Sequence, residues 1–258
     1  MNIIILKKEE EIKKFHFLIN DNRVKHIREI LKLNSGSSVE VGLLNGPKGI
    51  AKILTINNSS VSLYFNYKVA NKIVKSNIEM DLICALPRPQ TIKKILKIAG
   101  TFSLRSIDFI RANRVEKSYY QSPLLEPEKQ LPYLIEGLSQ GKNTRLPIVR
   151  VHNKFKSYFE TYFINSGNFN RQNTKYLLAE PSSNKNLLQI ISPDINHIVL
   201  AIGPEGGWIP FEIEFMEKLN FIKFNLSPNI LRVETALISA VSQIELCNMQ
   251  NSDTNKTI

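Results

Sequence analysis

Two short segments near the carboxyl end of the chain combine glycines, carboxylates and an arginine. The first reads "IGPEGGW" over residues 202–208, directly after an apolar run, and the second reads "LSPNILRVETA" over residues 226–236. Glycine lets a ligand approach the backbone closely, and apolar side chains beside a few hydrogen-bonding groups suit a ligand with an aromatic body. Together the segments predict a binding pocket, whereas either one alone also fits a turn followed by a helix start.

Other familiar chemical motifs are not found in the sequence. It contains neither GxxxxGK[ST], the phosphate-cradling loop, nor the dinucleotide fingerprint GxGxxG, nor the GxSxG nucleophile elbow. Its four histidines have no metal-ligand spacing with its two cysteines. The sequence therefore gives no support for a metal site.

The elements around the two segments alternate between strand-like and helical patterns. The helical patterns cover residues 91–100, about 127–141, 210–219 and 233–247. The apolar, β-branched runs cover residues 78–86, 106–112, 146–152, 175–180, 197–203 and 221–227. This alternation predicts an α/β fold with a parallel sheet covered on both faces. Such sheets bind ligands at the carboxyl ends of their strands, where "IGPEGGW" lies.

The first part of the chain has a different pattern. A helix is predicted over residues 21–33, capped by Asp21, with a buried stripe of Val24, Ile27, Ile30 and Leu31. Strands are predicted at 38–44, 49–56 and 61–69, the first two joined by a hairpin at Asn45-Gly46. These elements predict a small antiparallel barrel or sheet. The polar stretch 70–77 is the expected boundary between two domains, 1–72 and 73–258.

Bulk composition fits a two-domain protein with a packed core. The chain has 258 residues, 43% of them hydrophobic. No apolar stretch is long enough to span a bilayer, and the amino-terminal residues lack the order of a signal peptide. Cys84 and Cys247 lie in apolar surroundings and suggest reduced core cysteines, although their number leaves a bridge open. We therefore expect a cytoplasmic protein that does not enter a membrane.

Positive charge is concentrated in the first part of the chain. The net charge is +11, and residues 1–75 carry 13 of the 34 Lys and Arg but 6 of the 23 Asp and Glu. Lys and Arg displace condensed counterions from phosphates, so this excess favours a nucleic-acid partner. A solvated basic surface without a partner remains the alternative.

The two glycine- and arginine-containing segments also carry a family resemblance. The pattern "LAIGPEGGW" followed by "LSPNILRVETA" resembles the SPOUT methyltransferases, in particular the 16S ribosomal RNA (uracil-N3)-methyltransferase family. The stretches "VKHIREILKLNSGSSVEVGLLNG" and "LICALPRPQTIKKILKIAGTFSL" resemble earlier segments of that family. Ser227 and Asn229 depart from it, because glycine and arginine are usual at these positions.

The resemblance implies both a fold and a cofactor. The implied fold is a PUA-like RNA-binding domain followed by a SPOUT domain with a carboxyl-terminal trefoil knot, assembled as a homodimer. The implied cofactor is S-adenosylmethionine. The cofactor residues carried onto this chain are Leu178, Ala179, Glu180, Ile202, Gly203, Pro204, Glu205, Gly206, Leu226, Ser227, Asn229, Ile230 and Leu231. Gly203 and Gly206 are expected to leave room for the ligand.

The resemblance also implies three candidate catalytic residues for methyl transfer to uridine N3. Arg232 is the candidate cation for charge that develops on the uracil as its proton leaves. Anchoring the loop through Glu234 or the partner subunit is its alternative role. Glu205 and Glu234 could accept a proton or a hydrogen bond, and bracing of the loop is favoured for Glu205. Trp208 has no assigned role.

RNA contacts are expected at two places. One is the basic face of the first helix, and the other combines cations with rings that can stack on splayed bases. The candidates are Arg23, Lys25, His26 and Arg28, then Arg114, Lys117, Tyr119 and Tyr120. Packing of the two tyrosines against the protein body is the alternative.

The sequence therefore predicts S-adenosylmethionine-dependent methylation of uridine N3 in 16S ribosomal RNA, with that RNA or the small ribosomal subunit as partner. Two alternatives stay open. One is a SPOUT RNA methyltransferase of other specificity, such as ribose 2′-O-methylation. The other is an RNA-binding module without catalysis.

Overall fold

The computed structural model describes residues 2–70, 78–167 and 169–254, and these form two compact units. The first unit contains the residues up to 70 together with residues 100–103 and 134–146. The second contains the other described residues. The boundary expected at 70–77 falls almost entirely on residues outside the described ones.

The first unit is built on a six-stranded half-barrel sheet. Its strands are β1 (Ile4–Leu6), β2 (Glu11–Lys13), β3 (His16–Ile19), β4 (Ser38–Leu43), β5 (Lys48–Ile56) and β6 (Val61–Tyr64). They are ordered β1-β4-β5-β6-β3-β2, and every pair is antiparallel except β1 with β4. Alternate residues such as Ala51 and Ile53 are buried, because successive side chains of a strand point to opposite faces.

The hairpin predicted at Asn45-Gly46 is confirmed. Strands β4 and β5 pair in antiparallel register, with Gly42 opposite Lys48. Asn45 takes a φ of 56°, a conformation that asparagine tolerates better than most residues. The third predicted strand ends at Tyr64, earlier than expected, and the short strands β1 to β3 were not predicted.

The predicted helix over residues 21–33 is wrong in its second half. Helix α1 (Asn22–Lys25) begins as expected, with the Asp21 side chain accepting from the Arg23 amide at 3.0 Å. It continues as a π-helix over His26–Ile30. The wider π turn changes the angular position of later residues, so Ile30 is 68% exposed instead of buried. Val24 and Ile27 are buried as predicted.

The second unit contains a six-stranded sheet in which all strands are parallel, as predicted. The strands are β7 (Glu79–Ala85), β8 (Ser106–Ile110), β9 (Ile148–His152), β10 (Thr174–Ala179), β11 (His197–Ile202) and β12 (Phe221–Phe224). Their order is β12-β10-β11-β7-β8-β9. Every residue of β8 and β11 is buried, as expected of strands covered on both faces.

Helices follow most strands of this sheet. They are α2 (Pro89–Thr101), α3 (Pro127–Gly141), α4 (Phe155–Ser157), α5 (Pro210–Lys218) and α6 (Val233–Thr254). Four of them match predicted helices, and α6 continues seven residues beyond the predicted end at 247. Helix α4 continues as a π-helix over Tyr158–Phe163 that was not predicted. The final residues of α2 and the second half of α3 belong to the first unit.

A charged network is buried among the first residues of the strands. Asp81 is 2% exposed and accepts hydrogen bonds from Ser106 Oγ at 2.7 Å and Arg105 Nε at 2.9 Å, and it contacts His197 Nε2 at 3.0 Å. Burial alone would raise the pKa of Asp81. The bonds from His197, Arg105 and Ser106 outweigh that effect and hold the pKa well below its usual value.

Both cysteines are buried, and neither is bridged. This settles the alternative that the sequence left open in favour of free thiols. No helix within the described residues is long and apolar enough to cross a membrane.

Candidate functional site

A pocket forms where three neighbouring strands of the second sheet end. Strand β10 lies between β11 and β12, and all three point in the same direction. The segments that leave their carboxyl ends, residues 179–181, 202–208 and 225–231, supply most of the lining of one pocket. The sequence predicted that the second and third of these segments meet, and the structure confirms it.

The loop after β11 owes its shape to close packing as well as to backbone flexibility. A Cβ atom placed on Gly203 would lie 3.0 Å from Trp208 Nε1 and 3.1 Å from Trp208 Cδ1. Gly207 takes a φ of +72°, and its amide donates to the Pro204 carbonyl at 2.8 Å. Room for a ligand was the predicted reason for Gly203. In the structure, the Trp208 indole occupies the space beside it.

The loop after β12 is shaped by its own side chains. The Asn225 Oδ1 atom accepts from the Ser227 amide at 3.0 Å, and Ser227 Oγ accepts from the Asn229 amide at 3.1 Å. From helix α6, Gln243 Nε2 donates to the Leu226 carbonyl at 3.2 Å. Serine at 227 therefore supplies a local hydrogen bond that glycine could not make.

The segment after β10 joins the same arrangement. The Glu180 amide donates to the Phe224 carbonyl at 2.9 Å, and the Asn225 amide donates to the Lys185 carbonyl at 2.8 Å. The Glu180 carboxylate accepts from Ser182 Oγ at 3.0 Å. These bonds hold the ends of β10 and β12 together beneath the pocket.

Eleven of the thirteen predicted cofactor residues line this pocket. The two that do not are Leu178, which is fully buried, and Gly206, whose Cβ position faces the Arg114 side chain at 3.3 Å. The lining also contains six residues outside the predicted cofactor set, namely Pro181, Gly207, Trp208, Asn225, Val233 and Ala236, four of which lie in the two predicted segments. Most of these are chain neighbours of the predicted residues, so proximity in sequence was the available signal.

Trp208 gives the pocket an unsatisfied donor. The side chain is 4% exposed, and its Nε1 atom has no hydrogen-bond partner within the described part of the chain. Buried polar groups in proteins are usually hydrogen-bonded. An orphaned N–H in the wall of a pocket fits a ligand that carries acceptor atoms. The site therefore suits a molecule with both an apolar body and hydrogen-bonding edges.

Comparison with known proteins decides the family. A family model described as an RNA methyltransferase domain matches residues 74–245. Ribosomal RNA small subunit methyltransferase E 1 of Borreliella burgdorferi is 31% identical over 235 residues, which cover 90% of this chain and 93% of that protein. The chain belongs to this family of RNA methyltransferases. The resemblance inferred from its two motif segments is confirmed.

Further relatives agree with this assignment. The methyltransferase is 28% identical over 250 residues to ribosomal RNA small subunit methyltransferase E of Treponema pallidum, covering 95% of this chain and 90% of that protein. Its fold is similar to that of ribosomal RNA small subunit methyltransferase E of Neisseria gonorrhoeae, solved with S-adenosyl methionine bound. That match has a TM-score of 0.73 at 17% identity and covers 95% of this chain and 97% of that one.

The three candidate catalytic residues of the methyltransferase lie in different surroundings. Glu205 lines the pocket, and its Oε1 atom lies 3.4 Å from the Arg88 amide nitrogen and 4.0 Å from Arg88 Nε. Glu234 lies outside the lining and pairs with Lys94 Nζ at 2.8 Å, and the hydrogen bond from Lys94 lowers the pKa of Glu234. Arg232 is exposed and also lies outside the lining.

After the hydrogen bond from Lys94, the nearby charge of Arg232 also lowers the pKa of Glu234, so anchoring of the loop through Glu234 or the partner subunit stays the alternative role of Arg232. The Glu234 carboxylate is bound by Lys94, and Arg232 has no ion pair within the described part of the chain. Arg88, which directly precedes helix α2, and Lys94, which lies within it, are thus the residues that contact the two carboxylates.

The RNA candidates of the first unit divide into two kinds. The Arg23 guanidinium is bound by Asp21 at 2.6 Å and by Glu10, and its side chain is 19% exposed. It is therefore not part of a free basic face, contrary to the expectation. Lys25 is exposed, with only a loose contact to Glu29 at 3.8 Å, whereas His26 and Arg28 are half-buried.

The RNA candidates of the second unit lie beside the pocket loop. Arg114 Nη1 donates to the Gly206 carbonyl at 2.6 Å. Tyr119 donates its hydroxyl to Glu116 at 3.0 Å, and Lys117 is exposed. The Tyr120 hydroxyl is buried without a partner among the described residues, and its ring lies under the Arg111 guanidinium at 5.5 Å. Burial raises the pKa of Tyr120. This ring is packed, as the alternative interpretation expected, whereas Arg114 reaches the rim of the site.

Proposed function

We propose that this methyltransferase transfers a methyl group from S-adenosylmethionine to N3 of a uridine in 16S ribosomal RNA. The observation that carries the proposal is the pocket at the ends of β10, β11 and β12. It is formed by the "IGPEGG" and "LSPNILRVETA" loops in a chain whose relatives are named ribosomal RNA small subunit methyltransferases. The base specificity rests on the family resemblance.

The pocket residues fit this cofactor. Leu226, Ile230 and Leu231 offer apolar contacts for an adenine ring, and the backbone at Ile202-Gly203 can meet its polar edge. The Trp208 N–H is buried beside Gly203 in the pocket wall and has no partner among the described residues. A neighbour of similar fold was solved with S-adenosyl methionine bound. When bound, the cofactor supplies an electrophilic methyl group on a sulfonium.

We assign to Arg232 the role of stabilising the negative charge that develops on the uracil. N3 of uridine is a poor nucleophile until its proton leaves, and the negative charge that then develops needs a fixed cation. Since Glu234 is bound by Lys94, Arg232 keeps its guanidinium for the substrate. Its exposed position beside the cofactor loop fits a group that meets an incoming RNA base.

Glu205 and Glu234 are better explained as positioning residues. The amide and guanidinium of Arg88 both contact the Glu205 carboxylate, loosely, and these contacts connect the glycine-rich loop with the residue before helix α2. Lys94 holds Glu234 in the first turn of α6. Because the lowered pKa of Glu234 makes it a weaker base, we do not assign it as the proton acceptor.

The RNA is proposed to contact both units. In the second unit, Arg114, Lys117 and Tyr119 lie on the segment bonded to the Gly206 carbonyl, so they can hold RNA beside the cofactor. In the first unit, which we propose to be a PUA-like RNA-binding domain spanning residues 1–72, Lys25, His26 and Arg28 remain as candidates. We propose that this enzyme acts in the cytoplasm on the small ribosomal subunit or its RNA.

A homodimer with a knotted second unit, residues 73–258, completes the proposal. Helix α6 exposes Ile238, Leu246 and Met249, and the neighbouring loop exposes 87% of Ile230. Exposed apolar side chains grouped near a site are typical of interfaces, and a second copy of the chain would cover them. The knot is favoured by the family resemblance.

Mass spectrometry of 16S ribosomal RNA from a deletion strain tests the function. Loss of a base-methylated uridine that returns with the restored gene is the expected result. Loss of a ribose-methylated nucleotide would instead support the 2′-O alternative. Calorimetry with S-adenosylmethionine checks the remaining alternative, since an RNA-binding module without catalysis need not bind it.

A further inference from the structure

A second cleft lies at the same edge of the sheet as the cofactor pocket. It is formed where β8 and β9 end and where helix α5 begins. The side chains that line it include Arg111, Asn113, Asn153, Lys154, Lys156 and Phe211. None of them belongs to the cofactor pocket or to the RNA candidates named from the sequence.

The cleft combines three kinds of group. Phe211 is a large apolar side chain that is 53% exposed, so much of its ring is open to a partner. Arg111, Lys154 and Lys156 are exposed cations around it. Asn113 and Asn153 add amide groups that can both donate and accept hydrogen bonds.

The cations of the cleft have few protein partners. Among the described residues, Lys154 has no ion pair, and Lys156 has only a loose contact with Glu160 at 3.5 Å. Arg111 lies over the Tyr120 ring and has no ion pair with a carboxylate among the described residues. The one carboxylate in the lining, Glu212, is 2% exposed and accepts the Asn113 amide at 2.7 Å and the Ile209 amide at 3.1 Å. The groups that face solvent are therefore positively charged.

The cleft and the cofactor pocket share a wall. Trp208 lines the pocket, the next residue, Ile209, lines the cleft, and Phe155 from the cleft packs against Trp208 with ring centroids 6.1 Å apart. A molecule in the cleft would therefore lie beside a molecule in the pocket. This continuity connects the cleft with the reaction rather than with a separate function.

We propose that the cleft binds a nucleotide of a single-stranded RNA segment, with its base stacked on Phe211 and its phosphates near Arg111 and Lys154. Single-stranded RNA is typically held by aromatic rings that stack on splayed bases and by cations that follow the backbone. The amides of Asn113 and Asn153 are placed to meet the base edge. The inference rests on the proposed function, because it takes RNA to be the substrate of the neighbouring pocket.

Paired variants at Phe211 test the stacking. Phe211→Leu keeps an apolar side chain and removes the ring, whereas Phe211→Tyr keeps the ring. Fluorescence anisotropy with a labelled single-stranded oligouridine measures affinity for RNA. We expect the Leu variant to bind at least about fivefold more weakly and the Tyr variant to bind within about twofold of the wild type. Because Phe211 is largely exposed, both variants are expected to fold.

Lys154→Gln tests the charge independently of the ring. It should weaken binding and reduce the slope of log affinity against log salt by about 0.7, since one phosphate contact is lost. Lys218→Gln, a change of an exposed lysine at the other end of α5, serves as the control and should leave the slope unchanged. Affinity for S-adenosylmethionine should stay the same in every variant.

The outcomes separate this inference from the proposed function. If the wild type methylates small ribosomal subunits while Phe211→Leu and Lys154→Gln bind the oligouridine as it does, the cleft is not an RNA subsite. A wild type that does not bind the oligouridine also overturns the inference. If the wild type neither binds S-adenosylmethionine nor methylates the subunits, the proposed function itself fails.

Discussion

The indole of Trp208 lies against the α-carbon of Gly203, so that a Cβ atom on this glycine would be 3.0 Å from Trp208 Nε1. Both residues line the candidate cofactor pocket. The relationship explains why a residue without a side chain stands at the end of β11. It also places the orphaned indole N–H at the wall of the site.

Gly203→Ala is predicted to displace this indole. The new methyl group would meet three indole atoms between 3.0 and 3.3 Å, closer than ordinary van der Waals contact. Overpacking of this kind lowers the free energy of unfolding by about 1–3 kcal/mol. Urea unfolding should show this loss, and calorimetry should show weaker binding of S-adenosylmethionine.

Gly206→Ala is the matched control for that variant. Its Cβ atom would meet the flexible Arg114 side chain at 3.3 Å, outside the pocket lining. We expect a change in the free energy of unfolding within about 0.5 kcal/mol. Equal losses in the two variants would contradict the role given to the contact between Gly203 and Trp208.

Trp208 is predicted to report cofactor binding directly. It is the one tryptophan of the chain, so intrinsic tryptophan fluorescence comes from this site. Titration with S-adenosylmethionine should change the emission in a saturable way. Trp208→Phe removes the N–H donor and should weaken binding by about 0.5–1.5 kcal/mol in calorimetry. An emission that stays constant while calorimetry detects binding would place the cofactor elsewhere.

The sequence predicted the second unit well because its signals are local and repeated. Runs such as 197–203 are apolar and short, and buried parallel strands require such runs. The meeting of the two motif loops followed from the rule that strand ends share an edge. What the sequence could not give depends on three-dimensional partners. Three such features produce no repeating pattern of apolar residues in the sequence. They are the π turn at His26–Ile30, the ion pairs of Arg23 and the packing of Trp208 on Gly203.

The candidate site was predicted in the same uneven way. The two motif segments contain most of the residues that line the pocket, because the lining comes mainly from two continuous loops. The partners of Glu205 and Glu234 were not predicted, because Arg88 and Lys94 are more than a hundred residues away in the chain. A lysine on a helix, such as Lys94, is expected from the sequence to face solvent, because its distant partner Glu234 is not evident there.

Asp81→Asn is predicted to destabilise the protein in a pH-dependent way. Removing this carboxylate leaves Arg105 and buried His197 without their shared partner, a loss of about 3–5 kcal/mol at pH 7. Because the folded protein holds the pKa of Asp81 below its unfolded value of about 3.9, the ionised group stabilises the fold above that pH. This stabilisation is lost progressively as the pH falls from the pKa of the unfolded state through the lower pKa of the folded state.

Urea unfolding of wild type and variant at several pH values measures this effect. The difference between them should be largest near neutral pH and shrink below pH of about 4. Ser182→Ala changes an exposed residue and serves as the control. Its difference from the wild type in the free energy of unfolding should not depend on pH. A difference that is constant from neutral to acid pH would contradict the assignment.

Arg232→Ala is predicted to abolish most turnover while the protein stays folded. Loss of one group that stabilises developing charge typically lowers kcat by about 100- to 1000-fold. Since Arg232 is exposed and lies outside the pocket lining, the melting temperature and the affinity for S-adenosylmethionine should not change. Arg232→Lys keeps a cation and should recover part of the rate. Near-normal turnover by Arg232→Ala would exclude this role.

The most direct test of the central claim is in vitro methylation of small ribosomal subunits that lack the modification. The subunits are incubated with the purified enzyme and S-adenosylmethionine, and the digested 16S ribosomal RNA is analysed by mass spectrometry. The account predicts one added methyl group that stays with the uracil base when the nucleoside fragments, and none with Arg232→Ala. A methyl group that stays with the ribose, or no added methyl group with the wild type, would contradict it.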